Sequence, residues 1–246
     1  MNVVDPAGAR AGRSFFLVVA LCAAVVAFVG FAPTFYLRGF ATSAPPLSTL
    51  LVAHGFASTA WIALLIAQTL LIRNARMSTH RTLGLFGALL AAVMVALGVS
   101  VAVQAAAQGT LGLRFHQQPF EFLIVPLGQI LIFGALVAVA IALRRRPAVH
   151  KRLMVIATLN LIAPAAARAA DNLFHVANPK SALVVLGIGV VACIAYDIRT
   201  RGRVHPVFGL VGPMTLLSLP LRLAFSHTAA WHSTAEWLTG FAAPGA

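Results

Sequence analysis

Long apolar runs separated by short polar or basic stretches organise this chain. Crossing a hydrocarbon core of about 30 Å takes roughly 20 apolar residues. Against that length the runs predict seven transmembrane helices, over approximately 14–37, 48–72, 82–107, 120–143, 152–175, 182–198 and 206–226. A tail over 227–246 follows, with Trp231 and Trp237 suited to a short helix at the headgroup level. No linker, low-complexity run or soluble insert interrupts the segments, so residues 1–246 read as a single domain, an all-α integral membrane bundle of about seven helices.

Within the runs, GLFGALLAAVMVALG (84–98) and LGIGVV (186–191) are dense in small residues. Small side chains let helix backbones approach closely, which drives packing where lipid removes the hydrophobic incentive. Pro126, Pro164, Pro213 and Pro220 fall inside segments four, five and seven. Each removes a backbone donor and clashes with the preceding turn, so kinks are expected there.

Composition agrees with this reading. Of 246 residues, 60% are hydrophobic and 9% charged, against about a quarter charged in soluble domains. The net charge of +13 would suggest nucleic acid in a soluble chain. Here the basic residues stand at segment ends, so lipid rather than nucleic acid is the expected partner. With a cytoplasmic N-terminus, the inner side holds Arg10, Arg13, Arg73, Arg76, Arg81, Arg144, Arg145, Arg146, Lys151, Arg152, Arg199, Arg201 and Arg203, 13 of the 18 Lys and Arg. That bias predicts the orientation and an extracytoplasmic C-terminus, in a bacterial inner membrane. The first segment follows Arg10 and Arg13 like a signal peptide, but its run is too long for one, and a retained anchor is expected. Cys22 and Cys193 lie inside segments and read as small apolar packing residues.

Two groups of residues carry candidate chemistry. MSTHRTLG (77–84), RRRPAVHKRLM (144–154) and RTRGRVHP (199–206) each bring a histidine with basic neighbours to the inner foot of a segment. His80, His150 and His205 thus share one depth, the condition for a common metal. Imidazole binds iron, zinc or copper through a neutral nitrogen, and Arg81 and Arg152 could pair with an anionic group. The alternative is three separate interfacial histidines bonded to headgroups and helix ends.

The second group lies near the outer face: His54, Glu121, Arg168, Asp171, His175 and Arg222. Arg168 stands 16 residues beyond Arg152, about 24 Å up the fifth segment, and Asp171 follows at a spacing that permits an ion pair. Ionisable groups inside a membrane are costly and by default mark function, so an outer polar cavity is one reading. Mutual neutralisation near the surface, with Arg222 snorkelling, is the other. His227 and His232, about 500° apart on a helix, are poorly aligned for one metal and read as interfacial.

The stretches HGFASTAWIALLIAQTLLI (54–72), HRTLG (80–84) and HKRLMVIATLNLIAPAAAR (150–168) resemble a group of bacterial membrane proteins that carry a domain of unknown function, over roughly 48–170. More distantly, a helix with an early histidine and a later glutamine followed by H..LG is similar to the di-haem, ascorbate-dependent ferrireductase type of cytochrome b. That resemblance implies b-type haem, with His54 and His80 matching its pattern and His150 as a further candidate ligand.

Three functions follow as expectations. One is a redox protein binding haem b through His80 and His150 and exchanging electrons with a quinone. Another is a binding or transport protein for a small molecule, lined by His54, Arg168 and Asp171. The third is a zinc-dependent membrane hydrolase, which needs three ligands and an acid or base.

Overall fold

The computed structural model describes residues 6–41 and 46–240; the side chains of Arg10 and Arg13 and the end of the tail, 241–246, lie outside the described residues. Among the described residues every regular element is helical. Helix α1 (Pro6–Phe31) continues through a π-helical turn, Ala32–Tyr36, into the short α2 (Arg38–Ala41). There follow α3 (Thr49–Arg73), α4 (Met77–Ala107), a 3₁₀ turn at Leu113–Phe115, α5 (Pro119–Ala142), α6 (Pro147–Leu161) and α7 (Ala163–Phe174). The chain ends in α8 (Ser181–Arg201), a π-helical turn at Val207–Val211, α9 (Gly212–Phe225) and α10 (Ala229–Gly240). Six of the spans are long and apolar enough to cross a membrane, and α6 with α7, bent by 45° at their junction, make a seventh if taken as one.

The helices from α3 to α6 pack in sequence, each on the next. α1 closes the bundle against α7 and α3, and α9 covers α5 and α8. Met94, Leu123, Phe133, Ile156 and Phe208 form the inaccessible centre, with Trp61 edge-on to Phe133 at 4.9 Å. The outward faces stay apolar: Val184, Ile188 and Val191 recur on one exposed stripe of α8, as a lipid-facing surface requires.

The break between α6 and α7 has a covalent cause and a polar remedy. Pro164 opens α7 and has no N–H, so the carbonyl of Asn160 loses its helical donor. Gln129 on α5 supplies the donor through its side-chain amide, and Asn160 returns the bond from Nδ2 to the Gln129 carbonyl at 2.8 Å. Both amides are buried. In a membrane, freed backbone groups are satisfied by neighbouring helices in this way. The other prolines act less sharply, with Pro126 and Pro220 inside helices and Pro213 in the first turn of α9.

Several boundaries shift from those predicted. α4 starts at Met77 and α6 at Pro147, so His80 and His150 stand in first helical turns rather than in loops. Proline at N1 suits a helix start, where its missing donor is an orphan anyway. The tail helix is present as α10, but only half of its expected surface role holds. Trp237 is exposed, whereas Trp231 is buried and its indole N–H donates to the Phe120 carbonyl at 2.9 Å, docking α10 on the N-terminal end of α5. Cys22 is exposed on α1, Cys193 is buried, and both are free.

Candidate functional site

At the end of the bundle with the basic turns, α5 and α6 position His150. Its Nδ1 lies 2.8 Å from the carbonyl of Ala140. A carbonyl only accepts, so Nδ1 carries the proton, and of the two neutral tautomers this bond selects the one with Nε2 unprotonated. His80 stands in the first turn of α4, at the same end of the bundle, since α4 and α6 both pack on α5 and begin on one side. The His80 Nδ1 is buried without a protein partner. Arg81 beside it is exposed at the same end.

His205 does not join this pair. Its backbone N–H donates to Asp197 Oδ2 at 2.9 Å, and its Nδ1 accepts from the Val207 N–H at 3.2 Å, capping the turn into α9. Burial first, then the guanidinium groups of Arg152 and Arg201, hold its imidazole below the usual histidine value, with Asp197 opposing. Among the described residues no group of three or more His, Cys, Asp and Glu side chains is placed to hold a metal ion. The expected three-histidine site of His80, His150 and His205 is therefore not assembled, and the zinc hydrolase loses its geometric basis.

Arg152 is also committed elsewhere. Its guanidinium makes a two-pronged ion pair with Asp197 on α8, bonds the Ala148 carbonyl at 2.9 Å and lies over the Phe208 ring at 5.3 Å. Only 2% of Arg152 and none of Asp197 is exposed. Arg201 adds a second cation 3.9 Å from Asp197. Sequence reading missed this pair because 45 residues separate its members; the sole signal was an acid near the end of an apolar segment.

The outer residues form four separate groups instead of one cavity. Asp171 pairs at 2.6 Å with Arg114, from the 3₁₀ turn, rather than with Arg168. Arg114 also reaches Asn172, whose Nδ2 donates to the carbonyl of Val29 at 2.8 Å, so the outer loop, α7 and α1 are tied together. Arg168 lies 5.2 Å above the ring of Phe31. His175 caps α7 through its backbone N–H, with its side chain exposed.

Arg222 forms the second group. It donates to the carbonyls of Val125 and Ser218, and a Cβ on Gly128 would meet its Cδ at 2.4 Å, so this side chain is a pin between α9 and α5 and does not snorkel. Third, Glu121 on α5 is approached by His227 Nδ1 at 3.4 Å and His232 Nε2 at 3.9 Å, which the angular spacing of the two histidines did not suggest. His54 stands apart from all of these, beside Gly98 of α4, with its Nδ1 buried and unpartnered.

Length, apolarity and packing of the spans make this a multi-pass helical membrane protein. No family model, curated protein or solved structure matches the chain.

Proposed function

We propose that the protein spans a bacterial inner membrane seven times with its N-terminus in the cytoplasm, and that His80 and His150 hold a b-type haem for electron exchange with a quinone. The observation that carries this reading is the His150 ring, whose Nδ1 proton is committed to the Ala140 carbonyl while Nε2 is left free, at the end of the bundle where His80 also stands. Metal-bound histidines are oriented by such a bond from the other ring nitrogen. Two imidazoles at one end of the bundle, on the helices that pack on either side of α5 in sequence, meet the ligand count of axial ligation, which needs only a pair. Bound haem would supply one-electron chemistry. For the anionic edge of such a group Arg81 is available, whereas Arg152 is not, because Asp197 occupies it. The distant likeness of the HGFASTAW and HRTLG stretches to di-haem cytochromes supports the same reading, and over roughly 48–170 it extends to the bacterial family carrying a domain of unknown function.

The test is an absorption spectrum with iron analysis on detergent-purified protein, repeated for His80→Ala and His150→Ala. The expected result is a Soret band with stoichiometric iron that both substitutions abolish. A colourless wild-type protein without iron would overturn the proposal.

A second reading, a binding or transport protein for a small anion, is favoured by Arg168. Its guanidinium lies over the Phe31 ring, and Asp171, the acid nearest to it in sequence, is paired with Arg114 instead. In a membrane interior such a cation calls for an anionic partner.

A further inference from the structure

Among the described residues, four buried side-chain polar atoms lack a protein partner: His54 Nδ1, Trp61 Nε1, Gln68 Oε1 and His80 Nδ1. All four lie on α3 and the first turn of α4. Buried polar atoms are nearly always bonded, so each unpaired one requires an explanation. The two at the inner end explain each other.

The Gln68 side chain donates from Nε2 to the carbonyl of His80 at 3.3 Å. Because that carbonyl only accepts, the amide must turn its NH₂ toward it, and Oε1 is then an acceptor without a donor. The same His80 carries Nδ1, without a partner. Next to them Gly84, one turn further along α4, leaves space: a Cβ there would come no closer than 3.8 Å to Gln68 Nε2 and would meet nothing else within 4 Å.

We propose that Gln68 is the positioning residue of His80. Its Oε1 accepts the His80 Nδ1–H through one internal water seated beside Gly84, which gives both orphaned atoms a bond. With the water accepting from His80 and donating to Gln68, the proton is on Nδ1 and the lone pair on Nε2, the same tautomer that the Ala140 carbonyl selects on His150; a water donating to both atoms would put the proton on Nε2, and the tautomer tells the two apart. The two rings are then matched, each offering Nε2. That these nitrogens face a cofactor rests on the haem reading, whereas the tautomer of His80 does not.

The test compares wild type, Gln68→Leu and Gln68→Glu. On protein that purifies without haem, ¹⁵N-histidine NMR in nanodiscs reads the tautomer directly, with the His80 signal assigned by difference against His80→Asn. Wild-type His80 is expected as Nδ1–H. Gln68→Leu, which removes the acceptor, lowers the Nδ1–H to Nε2–H ratio about fivefold, the effect of one net hydrogen bond. Gln68→Glu, measured at pH 8, loses the donor to the His80 carbonyl but keeps an acceptor, and so retains Nδ1–H. A purely structural role for Gln68 would make the two variants alike.

On protein that purifies with haem, the readout is the midpoint potential. Gln68→Leu raises it, because a ligand whose N–H has no acceptor gives the iron less electron density, and Gln68→Glu lowers it. Wild-type His80 found as Nε2–H, no response to Gln68→Leu, or equal responses to both variants would overturn the proposal. Colourless protein with the expected tautomer pattern would instead remove the haem and leave the role of Gln68 standing.

Discussion

The ion pair of Arg152 and Asp197 is the most deeply buried charge in the described chain. Two ions withdrawn from water gain little over a well-packed apolar pair, but removing one partner strands the other and costs about 3–5 kcal/mol. Asp197→Ala should therefore lower the free energy of unfolding by that amount in an SDS titration, while the double variant Arg152→Leu with Asp197→Leu recovers most of the loss. A single variant as stable as wild type would contradict the stranded-charge account. The pair also explains what was illegible at this scale. Arg152 follows a histidine and a lysine in a basic stretch and so looks available to an external anion; its acid is on another helix. Gln129 and Asn160 were equally silent, since a lone amide in an apolar run does not declare its partner. The reverse occurred at Asp171, where a nearby arginine in sequence suggested a pairing that Arg114 takes instead.

At the level of elements, sequence reading fared better because bilayer thickness sets span length: six predicted segments correspond to membrane-length helices, and the fifth corresponds to the bent pair α6–α7. The errors lie at the ends, where α4 and α6 begin among basic residues that look like loop. Helix contact is more sharply constrained than length. Gly30 in the last turn of α1 sits so close to α7 that a Cβ would stand 2.2 Å from the Ala165 carbonyl oxygen. Gly30→Ala must push the helices apart, and overpacking of this kind costs about 1–3 kcal/mol. Gly187 on α8 offers the control, since a Cβ there meets nothing within 4 Å. Gly187→Ala should stay within about 0.5 kcal/mol of wild type. Thermal unfolding of the two variants in one detergent separates them, and equal midpoints would refute the close α1–α7 contact.

For the whole molecule, orientation follows from charge. With α6 and α7 taken as one span, the ends carrying Arg73 and Arg76, Arg144 to Arg146 and Arg199 to Arg203 fall on one side, and the positive-inside rule predicts that this side is cytoplasmic. Fusions at the C-terminus should thus be active with alkaline phosphatase and dark with green fluorescent protein; the opposite pattern would invert the topology. Candidate chemistry was only partly legible at this scale, because segment depth is readable but the arrangement of helices around the bundle is not. Equal height put His54, Glu121, Arg168 and Arg222 into one imagined cavity, whereas they face different neighbours.

The bend between α6 and α7 gives this span two separate moorings. Its inner half is tied to α8 by Arg152 and its outer half to α1 and the outer loop by Asn172 and Asp171. Between them the amide clasp of Gln129 and Asn160 grips the chain at the point where Pro164 interrupts it. Mechanically this is a lever with a built-in fulcrum. A straight rod would pass axial rotation from one end to the other, whereas a clasped bend is expected to convert a displacement of the α7 half into tilt of the α6 half, which carries His150.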